Sequence, residues 1–162
     1  MTDWRDGAID GVEVRPLRRF EDPRGWLAEI FRCDTEAPQR LPVMGYVSVT
    51  HPGVARGPHE HRAQTDFFCF PGPGTFRVHL WDVRPESPTR GCRQIVLAGA
   101  DAPAVVIVPP GVVHAYQNVG PADGLVINLP NALFKGPERR EPVDEIRHEE
   151  DPHSPYRLEE AP

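Results

Sequence analysis

Phe67-Phe-Cys-Phe-Pro-Gly-Pro-Gly-Thr75-Phe-Arg-Val-His-Leu-Trp-Asp-Val83 decides the fold class. The opening four residues form a bulky apolar run, too short for a helix and bounded by turn formers. Pro71-Gly-Pro-Gly74 forces the chain to reverse. The chain then alternates, with Phe76, Val78, Leu80 and Val83 set against Arg77, His79 and Asp82, the period-2 pattern of a strand with one face in a core. The alternation does not fix which way His79 points.

The same grammar recurs outward from this hairpin. Val43–Thr50, Arg93–Leu97, Ala104–Val108, His114–Val119 and Leu125–Leu129 read as strands, and so do Ile9–Leu17 and Trp26–Phe31 around the Asp22-Pro-Arg-Gly25 turn. The 20 Pro and 14 Gly suit short strands joined by tight turns, and no segment carries the 3.6-residue period of a long helix. The expectation is an all-β chain, a sandwich or small barrel, forming one domain over residues 1–162. From Lys135 onward the chain is charged and Pro-rich, which predicts an irregular C-terminal tail wrapping the surface. The strand Ile9–Leu17 precedes the barrel proper and is expected to pair across a homodimer interface, covering an otherwise open edge.

Composition narrows the function. The net charge is −6 and no run of basic residues occurs, which argues against a nucleic-acid partner. Lys135 is the only lysine among the 18 basic residues, so any phosphate site is arginine-built; Arg offers a planar fork for two-point contact. No apolar leader and no membrane-length apolar run occurs, so a cytoplasmic protein without a membrane partner is expected. Cys33, Cys69 and Cys92 are odd in number and lack a C-x-x-C pair, the mark of isolated thiols.

Two clusters carry chemistry. Arg56-Gly-Pro-His59-Glu-His61-Arg-Ala-Gln64-Thr-Asp66 places two imidazoles on one face of an extended strand. Pro109-Pro-Gly111-Val-Val-His114-Ala-Tyr116-Gln-Asn118 supplies a third. A single histidine is more often structural than functional, but the two segments together favour a site. Ser87-Pro-Thr89 reads as a structural turn, His148 and His153 as solvated, and Tyr116 as either a packing residue or a proton donor.

The second segment matches the cupin pattern P-x-G-x-x-H-x-x-x-N at every defined position, and the first resembles the cupin H-x-H motif with Gln64 or Asp66 in place of the usual Glu. Phe20-Glu-Asp-Pro-Arg24-Gly25, Glu29, Arg56-Gly-x-His59, Gln64, Asp82-Val-Arg84, Ser87-Pro-Thr89, Pro109-x-Gly111-x-x-His114 and Asp151-Pro152 resemble the dTDP-4-dehydrorhamnose 3,5-epimerase family. Gln64-Thr-Asp66, Val126-Ile-Asn128-Leu-Pro130 and Pro142-Val-Asp144-Glu145-x-Arg147 resemble a short branch of it.

The resemblance implies a cupin-type jelly roll, a dimer, and isomerase chemistry on a nucleotide-linked 4-keto-6-deoxy sugar in deoxysugar or natural-product assembly, with no cofactor. A base removes the proton beside the ketone, and an acid returns one on the opposite face. His59 matches the catalytic histidine; Asp151 is its implied carboxylate, with Asp144, Glu149 and Glu150 as rivals. His114 and Arg56 are the candidates to meet the enolate. The implied substrate contacts are Arg24, Glu29, Arg56 and His61, together with Gln64, Asp66, Tyr116 and Asn128. Two departures stand out. Asp66 occupies the place of the family's lysine, and the acid's tyrosine is absent from Asn131-Ala-Leu-Phe134. Two other readings stay open. One is a metal cupin holding Fe, Mn, Ni or Zn on His59, His61, Asp66 and His114; the other is a sugar-binding relative without turnover.

Overall fold

The computed structural model describes residues 3–159. In chain order the strands are β1 Arg5–Asp6, β2 Glu13–Pro16, β3 Arg19–Asp22, β4 Gly25–Ala28, β5 Tyr46–Thr50, β6 Ala55–Glu60 and β7 Asp66–Phe70. They continue as β8 Thr75–Asp82, β9 Cys92–Gly99, β10 Ala104–Val108, β11 Val112–Asn118, β12 Gly124–Asn128 and β13 Ile146–Arg147. The helical segments among the described residues are single 3-10 turns at Pro38–Arg40 and Pro137–Arg139.

A six-stranded sheet runs β1-β9-β8-β11-β6-β13, and a five-stranded sheet runs β2-β10-β7-β12-β5. Both are antiparallel apart from the short β1–β9 pair. Their inner faces meet over Phe68, Phe70, Phe76, Val78, Leu80, Val106, Val108, Val112, Tyr116 and Val126, which makes a jelly-roll barrel. Phe76, Val78 and Leu80 of β8 turn inward as its alternation predicts, whereas Val83 packs with the outer cluster.

The outer faces are also covered, and this hides the other half of β8. Trp81, Val113 and Ala115 pack beneath Trp4 from one end of the chain and Tyr156 and Leu158 from the other. His79 is therefore fully buried, stacked on Trp81 with ring centroids 5.8 Å apart. Asp82 is buried too, accepting hydrogen bonds from Arg84, Ser87 and Thr89, so the Asp82–Thr89 motif ties down a turn. On the five-stranded sheet, Phe67, Cys69, Val105 and Ile107 pack under Ala28, Ile30 and Phe31.

Three expectations need correction. The strand near the N-terminus does not stand before the barrel: it pairs with β10 of its own chain, Val14 opposite Val106, as the edge strand of the five-stranded sheet. One side of it is hydrogen-bonded to β10, and Arg15 and Arg40 bind Glu36 and Glu13 beside it. The tail is not wholly irregular: β13 pairs with β6 beside the histidines, Arg147 opposite His59. His148 is not simply solvated, because its Nε2 lies 3.0 Å from Glu60 and its ring rests on Tyr156.

Candidate active site

The site grows from the junction of β6 and β11. Arg56 and His59 lie on β6, with His61 just past its end, and His114 lies opposite His59 on β11. Gly57 makes that register possible. It has φ +85°, and a Cβ there would stand 2.6 Å from the His114 carbonyl oxygen. The strands close with a register shift between His114 and Tyr116, bringing three imidazoles together. Ring centroids are 4.5 Å apart for His59–His114, 5.7 Å for His59–His61 and 5.9 Å for His61–His114.

Asp66, first residue of β7 on the facing sheet, reaches across to two of them. Its Oδ2 stands 3.1 Å from His61 Nε2 and 3.2 Å from His114 Nε2. The His114 approach lacks the angle of a good hydrogen bond, since neither atom finds a partner of good geometry. Its Oδ1 accepts from Gln64 Nε2 and Asn128 Nδ2, each at 2.8 Å. Burial favours a neutral carboxyl, but His114 and His61 outweigh it and hold Asp66 well below the usual carboxylate range.

The histidines differ in protonation. His61 Nδ1 donates to the Asp144 carbonyl and Nε2 faces Asp66, so both ring nitrogens meet acceptors and the ring is an imidazolium. Burial opposes this charge; the Asp66 carboxylate and Asp144 carbonyl overcome it and lift His61 to about 9. His59 goes the other way: burial, then repulsion from His114 and His61, drops it to about 3 despite the pull of Asp66. It is a neutral imidazole across the physiological range. His114 Nδ1 donates to Val112 O at 3.0 Å, which turns Nε2 toward Asp66.

The carboxylate beside His59 is Glu145, its Oε1 3.9 Å from Nδ1, while Arg147 Nε holds Oε2 at 2.8 Å. That separation exceeds a hydrogen bond but allows an ion pair once His59 takes a proton. Glu145 corrects the Asp151 expectation: Asp151 is exposed, accepts from the His153 amide and lies outside the cavity. Asp144, one of the rivals, instead binds the Arg62, Ala63 and Gln64 amides and anchors the loop after His61.

A cavity of about 1370 Å³ opens over these groups, lined by Arg56, His59, His61, Gln64, Tyr116 and Glu145. Tyr46, Ser48, Phe134, Lys135, Arg139 and Arg147 are also among its wall residues. Tyr116 packs among Phe68, Phe70 and Phe76 with its hydroxyl 3.3 Å from Ser48, so it both packs and faces the cavity. Asn128 lies behind the wall and supports Asp66. Arg24 and Glu29 are not brought to it: Arg24 pairs with Asp22 at the exposed β3–β4 turn, and Glu29 lies near Arg32 on the surface. The sequence reading missed Glu145 and Tyr46 as site residues; Glu145's place depends on β13, too short to show a pattern, and Tyr46 sits in a short β-branched strand that carries no site motif.

The ring nitrogens of His59, His61 and His114 lie within 4.8 Å of one another, a spacing that a divalent ion could bridge with Asp66 as fourth donor. Each imidazole's Nδ1 is committed to, or faces, an acceptor, which leaves the Nε2 atoms as the donors such an ion would take.

A jelly-roll barrel with clustered imidazoles at the mouth defines a cupin-type protein. The sequence profile of the dTDP-4-dehydrorhamnose 3,5-epimerase family matches residues 6–135, and the chain belongs to that family. It is 37% identical over 127 residues to the probable low-salt glycan biosynthesis epimerase Agl13 of Haloferax volcanii, covering 78% of this chain and 81% of that one. The dTDP sugar isomerase of Desulfovibrio desulfuricans superposes with a TM-score of 0.79 at 24% identity, over 92% and 91% of the two chains. ChmJ, a 3'-monoepimerase of Streptomyces bikiniensis solved with dTDP-quinovose, superposes with a TM-score of 0.71 at 25% identity, over 88% and 71%.

Proposed function

We propose that the protein epimerises a nucleotide-linked 4-keto-6-deoxy sugar by side-chain acid–base chemistry, with His59 as the base. The observation that carries this is a buried imidazole kept neutral by its surroundings, with a carboxylate waiting beside it. With Nδ1 turned to Glu145, Nε2 is the nitrogen left to take the proton beside the ketone. The imidazolium so formed gains Glu145 as counter-ion, which raises the basicity that burial takes away. Arg56 is held by Thr50 Oγ1 and the Val49 carbonyl at the cavity wall, placed to meet the enolate oxygen. Lys135, Arg139 and Arg147 supply positive charge for a diphosphate.

The ligand named with ChmJ is a nucleotide sugar, which suits a reading without a cofactor. The test is solvent-deuterium exchange into dTDP-4-keto-6-deoxyglucose, with and without chelator. Exchange that survives chelation and drops by about 10²–10⁴-fold in His59→Ala supports the base. Stoichiometric metal, with activity lost on its removal, would give the site to a metal cupin.

A cytoplasmic homodimer belongs to the same reading. All three cysteines are free, as suits a reducing compartment. Among the described residues, no helix is long and apolar enough to cross a membrane. Phe20, Trp26 and Leu27 on the β3–β4 hairpin and Val47 and Val49 on β5 expose apolar surface that a second copy could cover. Light scattering at micromolar concentration checks it, and a monomer there refutes it.

A further inference from the structure

Inversion at carbon needs the proton taken from one face of the sugar and returned to the other. His59 stands on the six-stranded sheet, so the acid must come from the opposite wall, which the five-stranded sheet provides. Two hydroxyl side chains of β5 line the cavity there, Tyr46 and Ser48. A serine hydroxyl is too weak an acid, and Ser48 is already engaged with Tyr116.

Tyr46 has the opposite disposition. Asn128 Nδ2 donates to its hydroxyl oxygen at 2.9 Å. The sense of that bond is fixed, because Asn128 Oδ1 accepts from the Phe67 amide at 3.0 Å and its Nδ2 also reaches Asp66 Oδ1. With its oxygen serving as acceptor, the Tyr46 hydroxyl keeps its own hydrogen for another partner. The ring is half-exposed to the cavity. Burial of the hydroxyl pushes the phenol up to about 12, against the Asn128 bond, so it stays protonated at working pH.

We infer that Tyr46 is the general acid that protonates the enolate carbon on the face opposite His59. The inference rests on the epimerase reading above. His59 takes the proton and the C–H electron pair forms the enolate. The enolate carbon then takes the Tyr46 hydrogen, leaving a phenolate stabilised by Asn128. The phenolate regains a proton from solvent and His59 loses one, which restores both groups without any co-reactant.

The experiment is Tyr46→Phe in the full chain, given dTDP-4-keto-6-deoxyglucose in D₂O and followed by NMR for label at the carbons beside the ketone and for the epimer. Wild type is expected to give both. The variant is expected to lose the epimer by at least about 100-fold. It should still incorporate label with retention, since His59 can return a solvent-derived proton to the face it came from. Label lost together with the epimer, or the epimer formed at the wild-type rate, overturns the assignment. A wild-type protein that neither exchanges nor inverts overturns the epimerase reading itself, and Tyr46 as its acid with it.

Discussion

Asp66→Asn tests the electrostatic frame of the site most directly. The substitution keeps the side-chain shape and an acceptor oxygen but removes the charge that holds His61 as an imidazolium. His61 is raised from an ordinary 6.5 to about 9, which corresponds to roughly 3 kcal/mol of coupling at about 1.4 kcal/mol per unit. Because the folded-state value lies above the unfolded one, this stability is fully present below pH 6.5 and is lost as pH rises through about 9. At pH 7 most of it survives, so the variant should be about 2–3 kcal/mol less stable there. The assay is urea denaturation of both proteins from pH 5 to 10. The wild-type minus variant difference should shrink over pH 6.5–9, a subtraction that cancels the other groups titrating in that window. A difference that stays flat with pH, or lies under about 1 kcal/mol at pH 7, would show that His61 and Asp66 are not an ion pair.

Three further outcomes follow from the same geometry. The acid limb of kcat/KM should not fall near pH 6.5, since His59 is depressed to about 3; a limb at 6.5 in the pH–rate profile would contradict its assignment as a neutral buried base. Gly57→Ala should lower stability by about 2–3 kcal/mol in urea melts, because the residue sits at φ +85° with the His114 carbonyl 2.6 Å from the new Cβ. Arg56→Gln should slow exchange and inversion together in the deuterium assay, because the enolate precedes both; a loss of inversion alone would place Arg56 with the acid instead.

The sequence made the barrel legible wherever a strand has one dry face and one wet one. The inner half of β8 read correctly from its alternation and β5 in outline, whereas β10, buried on both faces, was legible as an unbroken β-branched apolar run. β6 was harder to see as an element because its residues, Ala55-Arg-Gly-Pro-His-Glu60, contain two residues that weaken strands. It exists because β11 and β13 flank it. The histidine cluster was legible from H-x-H and the P-G-H segment, since period 2 fixes the shared face. The partner of His59 was not. Glu145 arrives through a two-residue strand from the far end of the chain, and local sequence holds no signal for a pairing of that span. Asp151, chosen by position in a motif, belongs to a turn that binds its own backbone.

The protonation pattern also explains how the site can dispense with a lysine. Asp66 stands where the related pattern places that cation, and His61 beside it is charged, so a direct exchange of ammonium for imidazolium looks natural. The charges argue otherwise. His61 and Asp66 lie 3.1 Å apart, and from the substrate's side they act as a dipole with almost no net charge. Both His61 nitrogens are committed to acceptors, so no N–H remains to be offered to an enolate. His59 is kept deprotonated by burial first and by His114 next; within the pair, the pull of Asp66 offsets the push of His61. On the proposed chemistry, the enolate meets Arg56, whose guanidinium is fixed by Thr50 and Val49 on the strand facing its own. In that proposal, burial sets the state of the base, and the arginine is the group placed for the developing charge.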